Sequence, residues 1–138
     1  MYWQKELETI PRDDLESLQS RRLRETVERA ARSPYYGSSW ASPGLGAEAI
    51  RSTGDIRRFP FTTKDDLREH WPYGFIAVPR EELVRMHSSS GTTGRATVVF
   101  HTADDIAAWT DLLARSMYMT GMRKGDVFQN MMTYGLFT

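Results

Sequence analysis

Residues 88–97 carry the strongest chemical signal in the chain, with the sequence Ser-Ser-Ser-Gly-Thr-Thr-Gly-Arg-Ala-Thr. Glycines such as Gly91 and Gly94 let backbone N–H groups turn toward a ligand, because no Cβ stands in the way. Successive N–H groups in such a turn form a concave nest that binds anions. Hydroxyl groups add rotatable donors and a guanidinium adds a fixed positive charge; here they come from Ser88, Ser89, Ser90, Thr92, Thr93 and Arg95. The segment therefore predicts a phosphate-binding loop.

Two predicted strands must position this loop. Residues 83–87 before it and 97–100 after it are rich in β-branched and apolar side chains, which predicts an antiparallel hairpin. The spacing differs from the P-loop of nucleoside triphosphatases, which has a lysine after its second glycine and leads into a helix. An ordinary solvated hairpin turn is the alternative, since Gly, Ser and Thr are common in turns.

The first half of the chain predicts a small helical unit. A helix is expected from Asp13 or Asp14 to about Arg32, because apolar residues recur there at helical spacing. Residues 38–54 predict a connection with one helical turn at 47–50, and a second helix is expected from Thr62 or Thr63 to about His70.

The second half predicts an α/β arrangement. Thr102 and Asp105 form a capping signature for a helix that ends near Gly121. Residues 127–132 then predict another strand, so the fold class is α/β, with a partial mixed sheet and a packed helix. The expected division is an N-terminal helical unit over residues 1–78 and the start of an α/β domain over 79–138. The side chains expected in the core are Trp109, Met117, Met119, Met122, Met131 and Met132.

The composition favours a cytoplasmic protein and excludes several classes of function. The 18 basic residues balance the 18 acidic residues, so bulk charge favours neither nucleic acid nor an anionic membrane as a partner. The chain has no cysteine, which excludes disulfides, thiolate nucleophiles and zinc–thiolate sites. His70, His87 and His101 show no metal-ligand spacing, and no metal ligand is expected.

Residues 88–95 resemble the phosphate-binding loop of the AMP-forming, acyl-adenylate enzyme superfamily. More narrowly, the chain resembles the N-terminal part of phenylacetate–coenzyme A ligases. The resemblance implies a fragment of the large domain of an adenylate-forming enzyme, in which residues 79–138 are the start of the α/β nucleotide-binding domain. The segments that carry the narrower resemblance are 1–3, 22–29, 59–68, 75–79, 88–95, 123–127 and 134–138. The chain departs from the family where Arg95-Ala96 replaces Lys-Pro and where His101 replaces a common tyrosine.

The resemblance implies a ligase of phenylacetate catabolism whose substrates and cofactors are ATP, Mg²⁺, coenzyme A and an aryl acid. Loop 88–95 would bind the ATP phosphates with help from Lys64, and Tyr134, Gly135 and Phe137 would border the acyl pocket. No catalytic residue is expected within this chain, and the chain alone is expected to be inactive. A homo-oligomer, a dimer, is expected in solution.

Purely structural interpretations of these residues stay open. Lys64 also suits the solvated first turn of a helix, and Arg95 a solvated hairpin tip. Tyr134 and Phe137 also suit a core at a strand end, and His87 is either catalytic or a polar strand-end residue. The alternative for the whole chain is a non-catalytic module that docks or oligomerises without turnover.

Overall fold

The computed structural model of the chain describes residues 2–42, 44–89, 91 and 96–131. Their α-helices are α1 (Lys5–Glu8), α2 (Arg12–Ala30), α3 (Pro34–Ser39), α4 (Lys64–Glu69) and α5 (Ala103–Met119), and their strands are β1 (Leu83–Ser88) and β2 (Val98–Thr102). Short 3-10 turns occupy Ala47–Ala49, Thr53–Arg58 and Arg80–Glu82. The three longer predicted helices, the turn at 47–50 and the hairpin are confirmed.

Reciprocal hydrogen bonds define where α4 and α5 begin. The Thr102 hydroxyl accepts from the N–H of Asp105 at 3.2 Å, and the Asp105 carboxylate accepts from the N–H of Thr102 at 2.8 Å. Thr63 and Asp66 form the same pair at α4. Such boxes satisfy N–H groups that the first helical turn leaves without partners. Because Thr102 also ends β2, α5 follows the strand with no linker between them.

The end of α2 differs from the expectation. The helix ends at Ala30 instead of Arg32, and Ser33-Pro34 opens the unpredicted helix α3. The Ser33 hydroxyl accepts from the N–H of Tyr36 at 3.3 Å, and Pro34 occupies the first helical position. Proline suits that position because its missing N–H would have no helical partner there. Ser-Pro therefore begins a helix here as well as ending one.

The buried core is small and lies in the helical unit. Val27 of α2, Ile50 and Phe59 are buried, and Leu23, Trp40, Leu45 and Ala47 pack around them. Arg24 donates two hydrogen bonds to the carbonyl of Ile50, at 2.8 and 3.1 Å. The buried side chains and this polar contact hold the irregular connection against α2.

Strands β1 and β2 form one antiparallel pair, in which Met86 lies opposite Phe100 and Ser88 opposite Val98. The strand predicted at 127–132, which would have made the sheet mixed, is wrong over its described part, because residues 127–131 have no strand structure. A strand is stabilised by the hydrogen bonds of a neighbouring strand. In the described chain, each of the two strands pairs only with the other.

The expectation that Trp109, Met119 and Met131 belong to the core is also wrong, and Met132 lies outside the described residues. Trp109 is 46% exposed, and Met119 and Met131 are 71% and 86% exposed. Apolar periodicity along α5 is real, but a helix buries its apolar face only where another element covers it. In the described structure much of that face meets solvent.

The first residues of the chain form side-chain contacts with the C-terminal half of α5. The indole N–H of Trp3 donates to the carboxylate of Asp111 at 2.8 Å, and the side-chain amide of Gln4 donates to the same carboxylate at 3.1 Å. Arg115 donates to the side-chain oxygen of Gln4, and the Trp3 ring packs against Tyr118. We call this set of contacts the N-terminal clasp. It links residues about a hundred positions apart in sequence.

None of the helices in the described ranges is long and apolar enough to cross a lipid bilayer. The α/β class, with a helical unit ahead of a small sheet and a packed helix, is confirmed. The boundary at residue 78 stays a prediction.

The capping aspartates make stability depend on pH. Hydrogen bonds from Thr63 lower the pKa of Asp66, those from Thr102 lower the pKa of Asp105, and backbone N–H groups of Ser52 and Arg51 lower the pKa of Asp55. The folded chain therefore keeps these carboxylates ionised at pH values where the unfolded chain binds protons. Their stabilisation is present above the unfolded pKa and is lost as the pH falls through the folded pKa.

We expect the melting temperature to fall as the pH drops below about 4, where unfolded aspartates begin to bind protons. Circular dichroism melts between about pH 6 and about pH 3 would measure this. The Asp105→Asn variant should show a shallower fall, because it has one fewer such carboxylate. An equal fall in this variant would contradict the assignment for Asp105.

Candidate functional site

The two ends of the predicted loop meet at Ser89 and Thr97. The N–H of Ser89 donates to the carbonyl of Thr97 at 2.9 Å, which extends the hairpin by one pair beyond β1 and β2. The N–H and hydroxyl of Thr97 both donate to the hydroxyl oxygen of Ser89, at 3.0 and 3.1 Å. We call these three hydrogen bonds the loop neck. The chain leaves the sheet after Ser89 and rejoins it at Thr97, so both ends of the loop meet at this closure.

The neck gives Ser88 and Ser89 structural positions. Ser88 ends β1 and is only 6% exposed. A hydroxyl has two acceptor lone pairs and one proton to donate. Because the oxygen of Ser89 accepts twice from Thr97, only its proton stays free to reach an anion. The sequence pattern alone did not single out Thr97. The signal that could have identified Thr97 is the hairpin register, since one step beyond the pair Ser88–Val98 places Thr97 opposite Ser89.

Gly91 follows Ser89 of the neck by two residues and has a backbone φ of +67°. This is the left-handed region, in which an L side chain brings Cβ too close to the following carbonyl oxygen. The expectation that the loop needs glycine for backbone geometry therefore has a concrete basis at this residue. Its role in binding phosphate stays a prediction.

Most of the other predicted site residues lie outside the described residues. These are Ser90, Thr92, Thr93, Gly94 and Arg95 of the loop and Tyr134, Gly135 and Phe137 of the expected acyl pocket. Their proposed roles stay predictions.

Lys64 is the first residue of α4, directly after the capping residue Thr63, and its side chain is exposed. It forms no hydrogen bond or ion pair with the residues that the structure describes. Its ammonium group is therefore available to a ligand or to solvent, and both interpretations of Lys64 stay open.

A cluster of three rings lies beneath the neck, and we call it the ring cluster. His87 of β1 packs against His101 of β2, with ring centroids 5.3 Å apart and planes at 89°. Trp109 of α5 contacts both imidazoles, at 5.5 Å from each ring. The Nδ1 atom of His87 is buried and has no hydrogen-bond partner in the described part of the chain. The rings join both strands to the helix immediately before the loop begins.

An open cleft of about 630 Å³ lies beside the hairpin. Apolar residues of both strands and of the segment 71–78 line it, Phe100 and Phe75 among them. Four charged residues also line it: Arg29, Arg32, Asp104 and Asp105. Over the described ranges, no group of three or more His, Asp or Glu side chains is arranged to hold a metal ion.

Comparison with known proteins gives the family. No family model matches the chain. Phenylacetate–coenzyme A ligase of Thermus thermophilus is 45% identical over 139 residues, which is 100% of this chain and 31% of that protein. The enzyme of the same name from Aromatoleum evansii is 42% identical over 96% of this chain and 30% of its own length. Over the segment that it spans, the chain belongs to the phenylacetate–coenzyme A ligase family. It spans about 30% of the length of these curated relatives.

Solved structures agree with this family assignment. A 2-hydroxyisobutyryl-CoA ligase in complex with 2-HIB-AMP and CoA is similar over 91% of this chain and 28% of its own, with 33% identity and a TM-score of 0.81. The resemblance of this phenylacetate–coenzyme A ligase segment to adenylate-forming enzymes is thereby confirmed.

The neck hydrogen bonds can be tested by removing their shared acceptor. Ser89→Ala leaves the half-buried N–H of Thr97 without its partner, and we expect it to cost about 1–3 kcal/mol of unfolding free energy. Thr97→Val is the matched control, because it removes one hydroxyl donor and keeps the backbone pair, at about 1 kcal/mol. Urea denaturation and amide exchange at residue 97 would measure both. If both variants changed the unfolding free energy and the exchange rate negligibly, the stabilising role of the neck hydrogen bonds would be contradicted.

Proposed function

We propose that this chain is the part of an ATP-dependent, AMP-forming aryl-acid–coenzyme A ligase that binds the phosphates of ATP, with phenylacetate as the acid. The observation that carries the proposal is the left-handed backbone of Gly91, two residues after the closed neck of a loop whose sequence is rich in hydroxyls. Family membership supports the reaction, and the loop geometry supports the role of this segment within it.

In the proposed reaction, a carboxylate oxygen attacks the α-phosphorus of ATP and the bond to the β-phosphate oxygen breaks. Pyrophosphate leaves, and the thiol of coenzyme A then attacks the acyl carbon and releases AMP. Loop 88–95 holds the β- and γ-phosphates in place for the first step. Donors that are fixed before the reaction stabilise the negative charge of the departing pyrophosphate with little reorganisation.

The other roles in this proposal follow from the resemblance. Arg95 and Lys64 add positive charge near the phosphates, and Tyr134, Gly135 and Phe137 border the aryl group. Lys64 suits this role because its exposed ammonium group has no partner in the described structure. Coenzyme A and Mg²⁺ enter the proposal only through the family.

Structures of the 2-hydroxyisobutyryl-CoA ligase support a rigid role for the segment. Its thioesterification state, its postadenylation state and an open conformation match this chain with TM-scores of 0.81, 0.80 and 0.80. Since the match barely changes among three states, we propose that the segment keeps one internal structure through the cycle. A phosphate cradle needs such a fixed frame.

The test uses Gly91→Ala in the full-length protein that contains this chain. A Cβ at this residue costs about 1–2 kcal/mol of backbone strain and displaces the N–H groups of the nest. We expect the KM for ATP to rise by about tenfold or more, while those for phenylacetate and coenzyme A stay near the parent values. Initial rates of pyrophosphate release would measure all three, with the isolated 138-residue chain as a control that has no turnover.

Gly121→Ala is the matched control for strain. Gly121 also has a positive φ, of +105°, and an added Cβ would meet nothing within 4 Å. This variant should lose stability and keep its KM for ATP. An unchanged KM for ATP in a folded Gly91→Ala enzyme would remove the support for the phosphate-binding loop.

We also propose that the isolated chain self-associates. Both outer edges of the described hairpin lack a neighbouring strand, and Val127 and Met131 are 98% and 86% exposed. Free edges and exposed apolar side chains favour pairing with another chain. Light scattering should give a mass above that of one chain at high concentration and a lower mass on dilution. A concentration-independent monomer would count against the expected dimer.

A further inference from the structure

His87 is the last residue before the serines of the loop, and its ring belongs to a contact that the proposed function does not use. It lies in β1 opposite Val99, and one residue separates it from Ser89 at the neck. Any rotation of the strand at His87 therefore moves the donor and acceptor of the neck directly. The backbone direction at this residue therefore sets the direction in which the loop leaves the sheet.

The ring cluster fixes that backbone from two sides. The edge of one imidazole meets the face of the other across the strands, and the Trp109 indole covers both. Aromatic pairs in such geometry contribute beyond the area they bury. Because His87 and His101 lie on opposite strands, their contact also resists a slip in the hairpin register.

Helix α5 is in turn held at both ends. Its first turn is bonded to Thr102 of β2, and its far half is bonded to the N-terminal clasp through Asp111 and Arg115. Trp109 lies between these two attachments. The indole therefore offers the strands a fixed surface even though it is partly exposed to solvent.

We propose that His87 is a positioning residue for ATP, because its ring, packed between His101 and Trp109, aligns the neck of the phosphate loop with helix α5. The proposal rests on the function proposed above. It states that a ring outside the loop controls the position of the loop. His87 acts through the neck and need not touch the nucleotide.

The ring, and not a polar atom of it, carries this role. The buried Nδ1 of His87 has no partner among the described residues, so its loss removes no hydrogen bond there. Replacing a buried polar group that lacks a partner by an apolar group of similar shape is nearly neutral for stability or favourable. His87→Phe should therefore keep the function, whereas His87→Ala leaves a gap between the strands and Trp109.

The experiment compares these variants in the full-length protein. We expect His87→Ala to raise the KM for ATP on the order of tenfold, with the KM values for phenylacetate and coenzyme A unchanged, because misplaced binding groups weaken only their own ligand. His87→Phe should stay near the parent. If His87→Ala does not fold, His87→Leu replaces it with the same expectation. His70→Ala is the matched control, since its ring packs against Tyr35 at 4.8 Å and does not belong to the ring cluster.

A second measurement needs no turnover. The N–H of Ser89 donates to Thr97, so hydrogen exchange at residue 89 reports whether the neck is closed. Exchange should be faster in His87→Ala than in the parent and should be unchanged in His87→Phe and His70→Ala.

The outcomes separate this role from the proposed function. A parent without ATP-dependent acyl–coenzyme A formation overturns the proposed function and the ATP role with it, and the exchange data then decide whether His87 aligns the neck. An active parent with unchanged ATP kinetics and exchange in His87→Ala overturns the positioning role alone. A folded His87→Phe enzyme that is as impaired as His87→Ala would show that an imidazole nitrogen acts directly, and it would also overturn the role.

Discussion

Three hydrogen bonds between Ser89 and Thr97 hold the hairpin closed where the chain leaves the sheet, and the placement of the loop depends on them. A two-stranded hairpin is only marginally stable by itself in water. Here the pair is supported from one face by α5, which begins without a linker where β2 ends. The support reaches the neck through His87, which one residue separates from Ser89. Gly91, with its φ of +67°, therefore follows a strand end that is held in place.

The stability of this frame comes from many local polar contacts and few buried side chains. Val27, Ile50 and Phe59 form the buried hydrophobic core of the described residues, whereas capping boxes start α4 and α5. Most helical stability in proteins comes from packing of an apolar face. The apolar face of α5 is therefore only partly covered by other elements of the described structure. The relatives, of which this chain spans about 30%, have the length to supply such packing.

Local signals in the sequence were sufficient for several elements. Thr102 and Asp105 predicted the start of α5 because the capping box uses only residues three apart. The hairpin was predictable for a similar reason, since its strands are adjacent in sequence. Residues 127–131 have the composition of a strand and no strand structure, because a strand also needs a neighbour that composition does not supply.

The sequence by itself determined the family, the three longer helices, the hairpin and the location of the loop, because each depends on residue types at short spacing. The tertiary structure alone decided that Ser89 and Thr97 close the neck, that Trp3 reaches Asp111, and that both imidazoles meet Trp109. These contacts join residues on separate elements, and their distances follow from how a helix and two strands pack. Residue spacing along the chain carries no information about that packing.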